Sequence, residues 1–363
     1  MSDVAHRRMV KLVREAKGWS QRDLAENVEP PMSQAFISKV EAGLIDLTGE
    51  SLSKVADALN CPVDLLTDDT PIQGLEVTCL HHRRHHSKIN AITKRRIEAL
   101  THLTRVTVEG FLGDIELVPE VQLVRLSIEE HGSPADIAQI VRTMWRVPSG
   151  PIENVMGLVE AAGVIVVTRD LGSQAQAATT TWPHDQDRPP ILVLNAGIEP
   201  DRQRYTLAHE LGHLIMHPLP SEDQEKEADE FAAVFLAPAE DIEDQLVGLT
   251  TRDFPRLLEL KAQWGMSVAA LIRRARDLDQ ISDRQYREFN IKLSKLGWRT
   301  REPGTLVVER PRSLARVIEV HRVDHGYSEG NLATVALMNT SALHHHYGGP
   351  KAPPSTSLRL VRE

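Results

Sequence analysis

Residues Thr206–Leu236 read TLAHELGHLIMHPLPSEDQEKEADEFAAVFL. The run contains His209-Glu210-Leu211-Gly212-His213, an H-E-x-x-H pattern. On a helix, residues four apart share a face, so His209 and His213 can aim both imidazoles at one point. Neutral imidazoles suit Zn²⁺. Glu210 follows His209 directly and stands beside such a metal, placed to take a proton from water held there. The flanking Leu207, Ala208, Leu211, Leu214 and Ile215 predict a buried helix. Pro218 and Pro220 predict its end.

A catalytic zinc usually has three protein ligands and one open position. The next helical stretch, from Asp223, places Glu225 and Asp229 four apart on one face. That spacing lets Glu225 bind the metal while Asp229 orients a ligating histidine. Glu227 is the competing ligand. It points about 200° around the helix from Glu225, so both cannot serve.

These two segments, RQRYTLAHELGHLIMH (202–217) and EKEADEFAAVFLAP (225–238), resemble the ImmA/IrrE family of zinc metallopeptidases. The resemblance extends upstream through 152–195. It implies a zincin-like domain in which His209, His213 and Glu225 hold Zn²⁺, with Mn²⁺ a possible substitute, and Glu210 is the catalytic acid/base. It also implies protein substrates, repressors of the helix-turn-helix class, whose cleavage relieves repression in stress or mobile-element responses. The oxyanion partner is open: Tyr205 and His217 are the nearby candidates.

The chain has 363 residues, 41% of them hydrophobic and 4% aromatic, and a net charge of −9. That length suggests two or three domains, and the negative charge excludes a generic polyanion binder. The two cysteines, Cys61 and Cys79, form no C-x-x-C pair and no disulfide framework, as expected in a reducing cytoplasm. The charged opening MSDVAHRRMVKLVREAKG lacks the apolar region of a signal peptide, and no run is long enough to span a bilayer. The expectation is a cytoplasmic protein.

Residues 3–69 read as a bundle of short helices. Ser20 is placed to cap a helix from Gln21, and Ser33 a second over Gln34–Glu41 that Ala42-Gly43 closes. KLVREAKGWSQRDLAENV, SQAFISKVEAG and SLSKVADALNCPVDLL resemble the XRE/Cro-repressor type of helix-turn-helix. In such modules the second helix enters the major groove. Gln34, Ser38 and Lys39 would meet base edges there, and Gln21 a phosphate. Against this, the first 69 residues carry twelve Asp/Glu and eight Lys/Arg. The basic stretch from Arg83 to Arg96 is a candidate source of the missing positive charge.

Ile89–Leu126 has helical periodicity. Ser133 and Pro134 predict a helix start, and another helix follows around Val155. Val164–Thr168, Ala175–Trp182 and Pro190–Asn195 read as strands. Ala175–Trp182 is the expected sheet edge, open to an extended substrate. His344–His346 reads as an exposed loop, and the tail as loosely ordered. The expected fold is mainly α, of the α+β class. Its parts are a helix-turn-helix domain (1–69), a helical and basic linker (70–130), a metallopeptidase domain with a small sheet (131–245) and a C-terminal helical and mixed region (246–363). The expected function is a DNA-associated zinc endopeptidase that binds an operator, cleaves a repressor and has no membrane partner; a homodimer is compatible. The alternative is a DNA-binding regulator whose zinc domain senses or scaffolds without cutting, as a toxin–antitoxin or phage-type partner.

Overall fold

The computed structural model describes residues 4–69, 77–82, 90–113, 115–172, 175–180, 188–218, 221–348 and 359–361. Five short helices come first: α1 (Arg7–Ala16), α2 (Gln21–Asn27), α3 (Gln34–Ala42), α4 (Gly49–Leu59) and α5 (Val63–Thr67). Strand β1 (Val77–His82) leads to the long α6 (Ala91–Leu112), then β2 (Glu116–Val118), α7 (Ile128–His131), α8 (Pro134–Met144) and α9 (Val155–Ala161). Strands β3 (Ile165–Arg169), β4 (Ala175–Thr180) and β5 (Ile191–Asn195) precede α10 (Pro200–Met216) and α11 (Gln224–Leu236). The chain continues through α12 (Ala239–Leu246), α13 (Phe254–Trp264), α14 (Val268–Asp277) and α15 (Asp283–Lys295). It ends with α16 (Ser313–Val323), α17 (Glu329–Val335), α18 (Thr340–Tyr347) and β6 (Arg359–Val361). The fold is mainly α, of the α+β class.

Local chemistry sets many of these boundaries. Ser20 with Asp23, Ser133 with Asp136 and Ser282 with Gln285 form reciprocal capping boxes at the starts of α2, α8 and α15. Gly43 closes α3 in the left-handed conformation, at φ 71°.

The main sheet has the order β1-β4-β5-β3. β3 and β5 are parallel, Ile165 opposite Ile191 through Arg169 opposite Asn195. β4 is antiparallel to both β5 and β1. This corrects one expectation. β4 is an inner strand, because residues 77–82 pair along its outer side. The tail is corrected too: Arg359–Val361 pairs antiparallel with β2. His344–His346 lie on α18, exposed, and not in a loop. Of the histidine-rich basic stretch, residues 83–89 lie outside the described residues.

Strand periodicity divides the sheet between two cores. Val166, Ala177, Leu192 and Leu194 face the core that contains α8–α15. Ile165, Val167, Ile191 and Val193 face a second core built with Ile97, Val108 and Phe111 of α6 and with α16–α18. Both faces are covered, which is why β5 reads as a continuous apolar run. The N-terminal bundle has its own core, and Val106 of α6 belongs to it. One helix therefore packs on both the bundle and the sheet.

α6 and α17 approach closely at Gly110. A Cβ at Gly110 would fall on the Val335 carbonyl oxygen. Gly110→Ala should therefore cost about 1–3 kcal/mol in urea denaturation. Gly330→Ala, in α17 but with only the Ser328 Oγ at 3.7 Å, should be neutral or gain up to about 1 kcal/mol. Equal effects from the two substitutions would contradict this packing.

Candidate metal centre and nucleic-acid interface

α10 is buried along its whole second half, including His209, Glu210 and His213. Polar side chains at such positions need partners. Those of the two histidines come from α11, which crosses close by, and from His217 at the end of α10. Gly212 makes the approach possible: a Cβ there would lie 3.1 Å from Phe231 Cδ1 and 3.4 Å from the Ala228 Cα. The far end of α11 is held by buried arginines. Arg142 donates to the Phe235 carbonyl at 2.7 Å and Arg274 to the Ala237 carbonyl at 2.9 Å, satisfying carbonyls that a helix end leaves unpaired.

The two Nε2 atoms of His209 and His213 lie 3.0 Å apart. Glu225 places one carboxylate oxygen 3.5 Å from His209 Nε2 and the other 3.4 Å from His213 Nε2. These three residues form the one group of three or more metal-type side chains among the described residues. Glu225 is 46% exposed, so the cluster opens to solvent on its side.

The outer nitrogens are occupied. His209 Nδ1 is 3.0 Å from Asp229 Oδ1, and Arg273 donates to the other oxygen of Asp229 at 2.9 Å. His213 Nδ1 is 2.9 Å from His217 Nδ1, and His217 Nε2 is 2.8 Å from Glu227 Oε2. With each Nδ1 donating outward, rings that carry no Nε2 proton would present their Nε2 lone pairs to the same point as the Glu225 carboxylate. Donor atoms on a tetrahedral ion at ~2.0–2.1 Å stand about 3.3 Å apart. The observed separations of 3.0, 3.4 and 3.5 Å match that spacing, so the donor set fits a divalent cation.

Charge follows the same pattern. Burial opposes protonation of His209, but its hydrogen bonds to Asp229 and Glu225 outweigh this and raise it to about 9. Burial would raise Asp229; His209 and Arg273 instead bring it down to about 2. The raised His209 reflects the carboxylates around it, and the lowered Asp229 reflects the positive charge of His209 and Arg273 beside it. Tyr205 is pushed up by burial, and its hydroxyl donates to the Asp229 carbonyl at 3.1 Å. That contact and the Glu227 bond of His217 tie both oxyanion candidates to α11.

Three features of this site were not read from the sequence. Glu227 sits on His217, so the competing ligand becomes the end of a relay onto His213. His217 had a signal, its four-residue spacing from His213. Arg273 had none, since α14 reaches Asp229 only through tertiary packing.

In the bundle, α3 presents Gln34 and Lys39 to solvent, and Ser38 is half-buried. Gln34 Nε2 donates to Gln21 Oε1 at 3.0 Å, and Gln21 Nε2 donates to Glu41 Oε2 at 2.9 Å. Arg14 holds Glu41 with two bonds of 2.6 and 2.9 Å. The chain of bonds fixes the Gln34 amide and leaves its oxygen and second N–H for another partner. Of the basic stretch, Lys94 and Arg95 are exposed. Arg96 is committed to the Asp170 carbonyl at 3.2 Å.

A short-helix bundle exposing the first turns of its third helix, joined to a helix pair with an H-E-x-x-H donor cluster, defines a two-module class of protein. Comparison with known families agrees. Residues 10–66 match the helix-turn-helix model, and residues 159–276 match the IrrE N-terminal-like domain model of the M78 peptidases. The chain therefore combines a helix-turn-helix domain of the XRE type with an IrrE N-terminal-like peptidase domain. No curated protein matches the chain. Among the described residues no helix is long and apolar enough to cross a membrane.

Metal analysis of purified single variants tests the donor set. His209→Ala and His213→Ala should abolish binding, and Glu210→Gln should leave it intact. Glu225→Ala should weaken binding far more than Glu227→Ala. Asp229→Ala should weaken it by ~10–100-fold, and Arg273→Ala by less. Equal losses from Glu225→Ala and Glu227→Ala would refute the assignment.

Proposed function

We propose that the protein is a DNA-associated zinc endopeptidase and transcriptional regulator that cleaves a repressor of the helix-turn-helix class. The convergence of His209, His213 and Glu225 beside the buried Glu210 carries this reading. A divalent metal, Zn²⁺ or Mn²⁺, would be held by those three side chains and would supply Lewis acidity toward the scissile carbonyl. Asp229 and the His217–Glu227 pair keep each ring in the tautomer that turns Nε2 inward. Arg273 keeps Asp229 ionised and oriented. Glu210 accepts the proton of the attacking water and returns it to the leaving amine. The helix-turn-helix domain brings the enzyme to an operator, with Gln21 on a phosphate and Gln34, Ser38 and Lys39 toward base edges. Lys94 and Arg95 offset the acidic balance of the bundle.

The test uses the full chain with purified helix-turn-helix repressors as substrates. Glu210→Gln should lower cleavage by ~10²–10⁴-fold while metal content and DNA binding persist. Metal-replete protein that cleaves none of them would favour the alternative, a regulator whose metal domain senses or scaffolds.

DNA recognition is tested by selection from random duplexes at low salt. Gln34→Ala should lose ~1–3 kcal/mol of discrimination at one position. Neutralising Lys94 and Arg95 should weaken all sequences alike and flatten the salt dependence. Binding indifferent to both changes would make the bundle a protein-contact module.

A further inference from the structure

The sheet contains a strand that the peptidase domain does not supply. β3, β4, β5, α10 and α11 all lie within the segment matched to the IrrE N-terminal-like domain, residues 159–276. β1 does not. It comes from residues 77–82, between the DNA-binding bundle and α6, and adds to the outer side of β4. With those residues removed, β4 would end the sheet with an open row of backbone N–H and C=O groups.

That edge packs on the helix of the candidate active site. Both β1 and β4 run against α10, the helix that carries His209, Glu210 and His213. The pairing of β1 is antiparallel, from Val77 opposite Thr180 to His82 opposite Ala175. It is also imperfect. The register shifts between Val77 and Cys79 and again between His81 and His82. Each shift leaves backbone groups out of the ladder and weakens the strand's hold.

An extended polypeptide binds a sheet edge through its backbone, one strand's worth of hydrogen bonds at a time. We propose that β1 is an internal stand-in for such a polypeptide. It covers the edge of β4 that an extended substrate occupies when it lies along α10, and it leaves for the substrate to bind. The exchange replaces backbone hydrogen bonds one for one, so β1 and a substrate compete on nearly equal terms at the edge itself. Belonging to the same chain gives β1 the advantage, since its competition for the edge is intramolecular. A peptide that engages only the edge loses to β1. One that also reaches the His209, His213 and Glu225 cluster wins. The identity of the partner rests on the peptidase reading above; the coverage of β4 by β1 does not.

The test uses the full-length Cys79→Pro/Leu80→Pro variant. Successive strand N–H groups point to opposite sides, so one of the two prolines removes a group aimed at β4. Hydrogen exchange is followed at 175–180, with 191–195 as the internal reference for an intact sheet. The probe is a fluorescent ten-residue peptide rich in valine and threonine that ends in a hydroxamate. Exchange at 175–180 should rise about tenfold with 191–195 unchanged, the peptide should bind about tenfold more tightly than to the unaltered chain, and its binding should restore protection at 175–180. Unchanged exchange at 175–180, or faster exchange with no gain in peptide affinity, would overturn the proposal.

If 191–195 also accelerates, a locked chain decides. Leu80→Cys/Ala178→Cys in a Cys61→Ser/Cys79→Ser background places a disulfide across a paired position of β1 and β4. Oxidation should abolish peptide binding and reduction restore it; binding indifferent to the lock contradicts the proposal. Zinc content, measured on the unaltered chain and every variant, judges the metal site separately: an unaltered chain that holds no zinc would count against the peptidase reading and leave the exchange result to judge the edge.

Discussion

The site depends on one contact, the approach of α11 to α10 across Gly212. The glycine in His-Glu-Leu-Gly-His has no local turn to make, since it sits within a regular helix. It is needed because Phe231 and Ala228 occupy the space that a side chain would fill. Phe231 has no room to retreat: it is fully buried and stacks on Phe235 at 5.5 Å, which meets Trp145 edge to face. At that separation a carboxylate from one helix reaches both imidazoles of the other, and the next carboxylate on the same face reaches the outer nitrogen of His209. A wider crossing would lose both at once.

A second constraint is the sharing of α6. Its Val106 and Leu103 pack with the N-terminal bundle, while Ile97, Val108 and Phe111 pack under the sheet. The Arg96 side chain passes the turn at Gly18, 3.5 Å from a Cβ built there, and ends on the Asp170 carbonyl. Leu337 and Asn339 add contacts from the C-terminal region, the latter to Asn60 at 3.2 Å. The N-terminal bundle is thereby packed against the rest of the chain through α6 and the C-terminal helices. Lys94 and Arg95, outside the helix-turn-helix segment, lie on this shared helix.

Short-range periodicity made much of this legible. The four-residue spacings of His209 with His213 and of Glu225 with Asp229, the serine caps at Ser20, Ser33 and Ser133, and the apolar runs of β3 and β5 are local signals. The structure places those helices and strands within a residue or two of the expected positions. The misses were tertiary. Val77–His82 has no alternation of polar and apolar residues to mark it as a strand, and its role comes from its partner β4. Arg273 reaches Asp229 from 44 residues away in sequence, and Arg96 reaches Asp170 across 74. Glu227 looked like a rival ligand because helix phase shows which way a side chain leaves, and not which histidine waits there.

The central claim is that two imidazoles and one carboxylate from crossing helices hold a single divalent metal. X-ray absorption at the zinc edge of the purified full-length protein tests it most directly. The account predicts a four-coordinate ion with two imidazole nitrogens at ~2.0–2.1 Å and oxygen at ~2.0–2.2 Å. A sulfur shell near ~2.3 Å, a single imidazole, or protein that takes up no zinc would contradict it.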